Sequence, residues 1–330
     1  MPDLKAIVEQ DIACGLSLAE FARKYCYTVT AADEDPPSSL MRFPDPESGT
    51  WDFLYPIVQA IERRENVIIP KSRRMLVSWL MQIGFLWSIL FERNQTIGEV
   101  SEAENMVDDG SDTCQSLFGK LRILIEHLPR HLTGGITMKH MQIHNAWTQS
   151  TIVGFPGKKN AGRSGTWTRF LADEMPHIWW ANHIYASMRQ ACPRGFAMVG
   201  TPNLDLDVGE DPMSRLIHDD RQRRFRVIEL HWSQHPSRDQ AWYEDQCLDM
   251  TPQQIASELD IKWGKGLAGG RCFYPWRRSE MTGPVPHIPG LPVYRTWDFG
   301  VGTNSVVSAQ FQDLHTEGGH VAKQFRIIDM

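Results

Sequence analysis

Apolar and polar residues alternate at helical spacing over residues 4–26, and Ser17 followed three positions later by Glu20 gives the capping-box pattern of a helix start. A small helical arm is expected there. It could form half of a helix-turn-helix, although a packed N-terminal arm is the plainer reading. Residues 30–50 carry Asp33, Glu34 and Asp35 with Pro36, Pro37, Pro44 and Pro46, so they cannot be helical throughout, and a domain should begin after them. From Trp51 to about Trp263, short β-type runs alternate with longer helical stretches: NVIIP at 66–70, MQIHN at 141–145, STIVGFP at 150–156, TRFLADE at 168–174 and GFAMVGTPN at 195–203, then RVIELHW at 226–232. That alternation predicts an α/β fold. The helix from Ser78 is apolar on nearly every face up to Phe91, as a helix buried against a central sheet would be. A second boundary follows Trp263, with GKGLAGG at 264–270 and Pro284, Pro286, Pro289 and Pro292. Three further strands are expected at 294–300, 305–311 and 320–329.

Composition narrows the picture. The 330 residues suit one large or two medium domains, and at 42% hydrophobic and 22% charged the chain should be globular rather than disordered. A formal net charge of −6 excludes coating of nucleic acid by bulk positive charge, so any such contact must be local. The six cysteines have no zinc-knuckle or redox spacing, which makes a reducing cytoplasm the simplest setting. The longest apolar run, 79–91, contains Gln82 and falls short of the roughly 20 residues that cross a bilayer. With Glu9 and Asp11 ahead of any apolar run, no secretory signal is expected.

Several segments carry possible chemistry. NVIIP runs into KSRRMLVS and then the buried helix, a strand–loop–helix that aims backbone N–H groups and a helix dipole at one point. Lys71 could hold phosphate there and Ser78 could ligate Mg²⁺, but G-x-x-x-x-G-K-[ST] is absent, Leu76 and Val77 standing at its Gly-Lys position, so taken alone the stretch reads first as a basic surface loop. FLADEM at 170–175 ends an apolar strand in adjacent carboxylates. Asp173 could hold Mg²⁺ and Glu174 could deprotonate an attacking water, or the pair could be a helix cap. Asp173 lies 95 residues after Ser78, a span long enough for the strand entering the Lys71 loop and this acidic strand to be neighbours in the sheet without being sequential. In the Gly-rich basic loop GKKNAGRSGTWT at 157–168, Arg163 reads either as an arginine finger or as a solvated side chain, and Thr201 in GTPN reads as a γ-phosphate sensor or a plain turn. The densest positive charge, RLIHDDRQRRFR at 215–226, could track a phosphate backbone or form a solvated helix face.

As an ordered set these segments resemble the large terminase subunit of tailed phages, the ATP-driven motor and nuclease that packages DNA into proheads. KSRRMLVSW resembles the family's divergent Walker A, whose lysine opens the loop; FLADEM resembles its Walker B with catalytic glutamate, GTPN its coupling motif, and WDFG the first strand of its RNase H-like nuclease. LHWSQHP at 230–236 and CFYP at 272–275 resemble the segments between motor and nuclease, so the resemblance covers roughly residues 41–330. It implies an ASCE-type P-loop NTPase, a three-layer α/β sandwich, followed by the first strands of an RNase H-like domain. The implied boundaries are an arm and linker at 1–40, the ATPase at 41–265, a linker at 266–292 and a partial nuclease at 293–330.

Carried onto this chain, the resemblance implies Lys71 and the loop residues Ser72, Arg73 and Arg74 on the ATP phosphates, Ser78 and Asp173 on Mg²⁺, and Glu174 as base. It further implies Arg163 as a trans-acting arginine, Thr201 as the coupling residue, Gln59 as the adenine reader and Asp298 as the first metal-binding aspartate of a nuclease using Mg²⁺ or Mn²⁺. The implied partners are double-stranded DNA, the portal protein of the prohead, a small terminase subunit and further copies in a ring, with no membrane, in the cytoplasm of a bacterial host. Two departures stand out. Leu76 replaces the glycine that lets backbone approach phosphate, and only Asp298 and Asp329 are at hand as nuclease carboxylates, so the nuclease is expected to be incomplete. Another DNA-dependent ATPase or helicase, or a catalytically silent assembly module, are the alternative readings.

Overall fold

A computed structural model describes residues 4–29, 39–47, 49–111, 113–219, 221–222, 224–264, 286–299, 304–315 and 321–329. CFYP and most of the expected 266–292 linker lie outside the described residues. The chain divides into two compact units, Met1–Gly270 and Arg271–Met330.

The first unit opens with helices α1 (Leu4–Leu16) and α2 (Leu18–Tyr25) and an antiparallel pair, β1 (Tyr27–Val29) with β2 (Leu40–Arg42). Ser17 caps α2 by accepting the Glu20 N–H at 3.2 Å. Only half of the expected capping box forms. The Ser17 N–H already donates to Ala13 O of α1, so the Glu20 carboxylate lacks its reciprocal donor and pairs with Arg23 instead. Leu18 and Phe21 are fully buried, and Trp87 Nε1 donates to Cys14 O at 3.0 Å, so these helices pack into the core around α4 (Val77–Phe91), which follows α3 (Tyr55–Glu62) in sequence.

The centre is an eight-stranded sheet built from β3 (Val67–Pro70), β4 (Thr96–Ser101), β5 (Ile136–Lys139), β6 (Gln142–Asn145), β7 (Ser150–Pro156), β8 (Arg169–Ala172), β9 (Phe196–Gly200) and β10 (Arg226–Val227). Its order is β10-β3-β9-β8-β4-β7-β6-β5, parallel from β10 through β7 and antiparallel at the β7-β6-β5 end. Alternate side chains of each strand enter different cores. Val67, Ile69, Leu171, Ala197 and Val199 pack with α3 and α4, whereas Ile68, Phe170, Ala172, Phe196 and Met198 pack with the helix Ala181–Ala191. Both faces are therefore covered, giving the expected three-layer α/β sandwich, and β3, β8 and β9 are buried at every position.

The order of the strands corrects one expectation. The strand entering the Lys71 loop, β3, is not a neighbour of the acidic strand β8, because β9 lies between them and pairs with both. The expected strand at 226–232 is also shorter. Only Arg226 and Val227 pair as strand, although Ile228 and Leu230 still donate to Ile68 O and Pro70 O as the chain runs on beside β3.

Strand β4 has no apolar run to announce it, yet it is central to the sheet. Gly98 lies under Phe170, where a Cβ would approach the ring to 2.5 Å, so the residue type is set by packing. Glu99 is fully buried and accepts a hydrogen bond from Gln82 Nε2 of α4 at 2.8 Å. No helix among the described residues is long and apolar enough to cross a membrane.

In the second unit, β11 (Tyr294–Phe299), β12 (Asn304–His315) and β13 (Val321–Asp329) form an antiparallel meander. The buried Gln310 side chain ties the preceding turn to it, accepting the Ile288 N–H at 2.8 Å and donating to Ile288 O and Leu291 O at 3.0 Å.

Candidate active site

Strands β3, β9 and β8 are adjacent and parallel, so their C-terminal ends bring three loops to one edge of the sheet, the usual ligand-binding edge of an open α/β fold. Lys71 leaves β3, Thr201 leaves β9, Asp173 and Glu174 leave β8, and Ser78 lies in the first turn of α4. Lys71 Nζ donates to Glu174 Oε1 at 2.8 Å. Ser78 Oγ lies 3.1 and 3.3 Å from the two Asp173 oxygens and donates to that carboxylate. The Thr201 N–H donates to Glu174 Oε2 at 3.1 Å, and His177 Nε2 lies 3.2 Å from Thr201 Oγ1. Five residues read from three separate segments of the sequence, Lys71, Ser78, Asp173, Glu174 and Thr201, thus form one constellation.

Burial and charge set the protonation states. Burial alone would push Lys71 down, but Glu174 and Asp173 outweigh it and hold the ammonium above its ordinary value, so Lys71 is charged. Burial together with the charge of Glu174 pushes the Asp173 carboxyl up to about 6, against the pull of Lys71, Lys120 and the Ser78 hydroxyl. Burial acts the same way on Glu174, yet Lys71 and the Thr201 N–H more than offset it and keep that carboxyl below the usual range. The two neighbouring acids are thus driven apart, Glu174 toward the ionised form and Asp173 toward holding its proton, with Lys71 and Lys120 as the nearby cations.

The backbone of the loop after Lys71 is unusual. Arg74, Leu76 and Glu174 are three of eight non-glycine residues with positive φ among the described residues, so backbone strain concentrates at this edge. Leu76 takes φ 58° and ψ 8° at the start of α4, the conformation a glycine would adopt without penalty. A Cβ in the left-handed region costs roughly 1–2 kcal/mol. Leu76→Gly is therefore expected to be more stable than Leu76→Ala by about 1 kcal/mol in denaturant unfolding, the reverse of the ordinary helix ranking. An Ala variant as stable as the Gly variant would mean that residue 76 is not left-handed.

The other expected site residues take varied places. Ser72 is fully buried and acts as a strut: its hydroxyl donates to Leu259 O at 2.5 Å and accepts the Trp232 N–H at 2.9 Å, and its own N–H donates to Leu230 O. Arg73 pairs with Glu258 at 2.8 Å, and the exposed Arg74 follows it in the loop. Gln59 is half-buried on α3. Arg163 is exposed in the loop after β7, in a turn closed by its N–H to Asn160 O, and it does not join the Lys71–Glu174 constellation. Asp298 lies on β11 opposite Ser305, and Asp329 on β13 opposite Ser308; their side chains are outside the described residues. The basic run at 215–226 is no continuous helix face, since its helix ends at Ile217 and the chain turns before β10. Sequence reasoning missed His177, Glu258 and Arg238. None lies in a recognisable motif; the fold brings Glu258 and Arg238 to the loop after Lys71 and His177 to Thr201.

The oxygen set fits a hard divalent cation. A serine hydroxyl and one carboxylate are the sparse protein ligands typical of Mg²⁺ held together with substrate phosphates. Among the described residues no group of three or more His, Cys, Asp or Glu side chains converges, so the arrangement is not an all-protein metal cage.

No family model matches the chain, and no match to a curated protein was found. Among solved structures, it is similar to the large terminase ATPase domain of Thermus phage P74-26, at 13% identity and a TM-score of 0.45 over 60% of this chain and 88% of that one. It is also similar to the large terminase of a thermophilic bacteriophage in complex with ADP, at 12% identity and a TM-score of 0.48 over 76% of this chain. The same terminase in complex with ATP-gamma-S gives 11% identity and a TM-score of 0.48 over 79% of this chain. The chain spans 61% of the length of the ADP-bound terminase. At these identities and scores, what the site can do follows from its own geometry: one buried lysine, one hydroxyl–carboxylate pair and one ionised glutamate at the end of a parallel sheet.

Proposed function

We propose that this chain is a terminase-type packaging ATPase, hydrolysing Mg²⁺-ATP to move double-stranded DNA. The observation that carries the reading is the pairing of Lys71 with Glu174 and of Ser78 with Asp173 across the ends of β3 and β8. The first unit supplies the site. ATP phosphates compete with Glu174 for the Lys71 ammonium, so substrate binding draws Lys71 away, frees a carboxylate oxygen and raises its affinity for a proton from water. Thr201 holds that carboxylate through its N–H, and the same residue links the site to β9, whose chain continues toward the 203–264 region. Ser78 and Asp173 would hold Mg²⁺, which when bound would neutralise phosphate charge.

The remaining expectations belong to the same proposal: Arg163 acting on a neighbouring copy's nucleotide in a ring, Gln59 reading adenine, and the portal protein and a small terminase subunit as partners. The β11–β13 meander is read as the opening strands of an RNase H-like nuclease with Asp298 on Mg²⁺ or Mn²⁺. The test is ATP turnover by the intact chain with Mg²⁺, with and without double-stranded DNA. Turnover stimulated by DNA is expected, and Lys71→Ala should abolish both turnover and the thermal stabilisation that ATP confers. Equal turnover in the wild type and Lys71→Ala would sink the site assignment. Strand separation in the absence of a prohead would favour a helicase instead.

A further inference from the structure

The loop that follows Lys71 is gripped from its far side by a residue no motif announces. Arg238 is 9% exposed, and its guanidinium makes a two-pronged contact with the loop backbone: Nη1 donates to Arg73 O at 3.0 Å and Nη2 to Arg74 O at 2.9 Å. Nη1 also lies 3.5 Å from Met75 Sδ, and the guanidinium stacks over Trp242 at 4.6 Å from the ring centroid.

Two features of backbone geometry give this grip a direction. Arg74 has φ 59°, and the two carbonyls that flank it, those of Arg73 and Arg74, face the same side, where one guanidinium reaches both. In a trans peptide the C=O and the following N–H point in opposite directions. With the carbonyls of Arg73 and Arg74 both on Arg238, the N–H groups of Arg74 and Met75 are turned together to the opposite face. Successive N–H groups presented by a turn in this way form a concave nest that binds anions.

We propose that Arg238 is a positioning residue of the phosphate loop, holding the outer carbonyls so that the nest of Arg74 and Met75 amides is set for phosphate before nucleotide arrives. The inference rests on the nucleotide-binding reading of the site and adds to it. A planar fork suits this task, since one guanidinium reaches two carbonyls while stacking on an indole; an ammonium is a point charge and does not reproduce that geometry. Glycine supplies such a backbone turn without penalty. Here Arg74 and Leu76 adopt it with side chains present, and an external brace compensates.

The test uses the intact chain, with ADP and ATP-gamma-S as probes in the presence of Mg²⁺. Arg238→Ala is expected to weaken both by about tenfold or more, equivalent to about 1.4 kcal/mol, with KM for ATP rising and kcat at saturation nearly unchanged. Arg238→Lys should remain weak, and adding guanidinium at non-denaturing concentration should recover part of the affinity of Arg238→Ala but not that of Lys71→Ala. Recovery by added guanidinium is a readout that loss of folding would not give. Wild-type affinity in Arg238→Ala, full affinity in Arg238→Lys, or no response to guanidinium overturns the inference. A wild-type chain that binds neither probe overturns the nucleotide reading itself, whereas binding lost in Lys71→Ala and kept in Arg238→Ala overturns only the role of Arg238.

Discussion

Glu174→Gln should lower ATP turnover by about 10²–10⁴-fold, the range associated with removal of a general base. The side chain keeps its size and one carbonyl oxygen, so the hydrogen bond from the Thr201 N–H can persist, while an amide NH2 takes the place of the oxygen that accepts from Lys71. What disappears is the ionised carboxylate, held below the usual range against burial by Lys71 and the Thr201 amide. Binding should not fall with turnover. Removing the negative charge frees Lys71 for phosphate, so the affinity for ATP in Mg²⁺ is expected to equal or exceed that of the wild type. Single-turnover hydrolysis alongside equilibrium binding separates the two effects. A Glu174→Gln chain that hydrolyses ATP at the wild-type rate would remove Glu174 from the chemistry.

Glu99→Gln should raise stability at pH 8 and abolish much of its dependence on pH. Burial pushes the Glu99 carboxyl up to about 8, with Asp173 and Asp108 adding to the rise and Gln82 and Lys120 opposing it. The geometry agrees, because Glu99 Oε1 and Gln82 Oε1 are both buried without a hydrogen-bond partner, and a proton on the acid supplies a donor where a carboxylate has none. In the unfolded chain the group titrates near its reference value of about 4.3. Between about 4.3 and 8 the folded state therefore holds a proton that the unfolded state lacks. Stability falls as pH rises through that window, by up to about 1.4 kcal/mol per unit, and levels off above the folded value. Gln is neutral at every pH and keeps an oxygen for Gln82 Nε2. Wild type and variant should therefore differ little in Tm near pH 4–5, and the variant should melt higher at pH 8. Parallel Tm profiles across that range would show that Glu99 is ionised in the fold.

Much of the site was legible residue by residue. Lys71 and Ser78 were marked by a strand running into a loop and an apolar helix, and Asp173 and Glu174 by an apolar strand ending in acids. These are local patterns, because a parallel strand buried on both faces must be apolar and its functional residues must lie at its end. Strand β4 escaped for the converse reason. TIGEVS contains a glycine required by the Phe170 ring and a buried glutamate supported by Gln82, and neither requirement can be read from the strand itself. The short pairing of β10 escaped as well, since RVIELHW alternates like a strand while only its first two residues find strand partners.

The order of chemical groups along the chain, the burial of α4 and the α/β character were determined by the sequence alone, through apolar periodicity and the residue types that end each strand. Tertiary structure decided which of those groups meet. Lys71 and Glu174 are 103 positions apart and bond because β9 enters the sheet between β3 and β8, aligning three strand ends. It also decided that Ser72 braces the loop and that Arg238, 165 positions after Arg73, holds the loop carbonyls. A hydrogen bond needs its two partners within about 3 Å, a condition on distance and direction. Spacing along the chain does not specify it until strand order has been chosen.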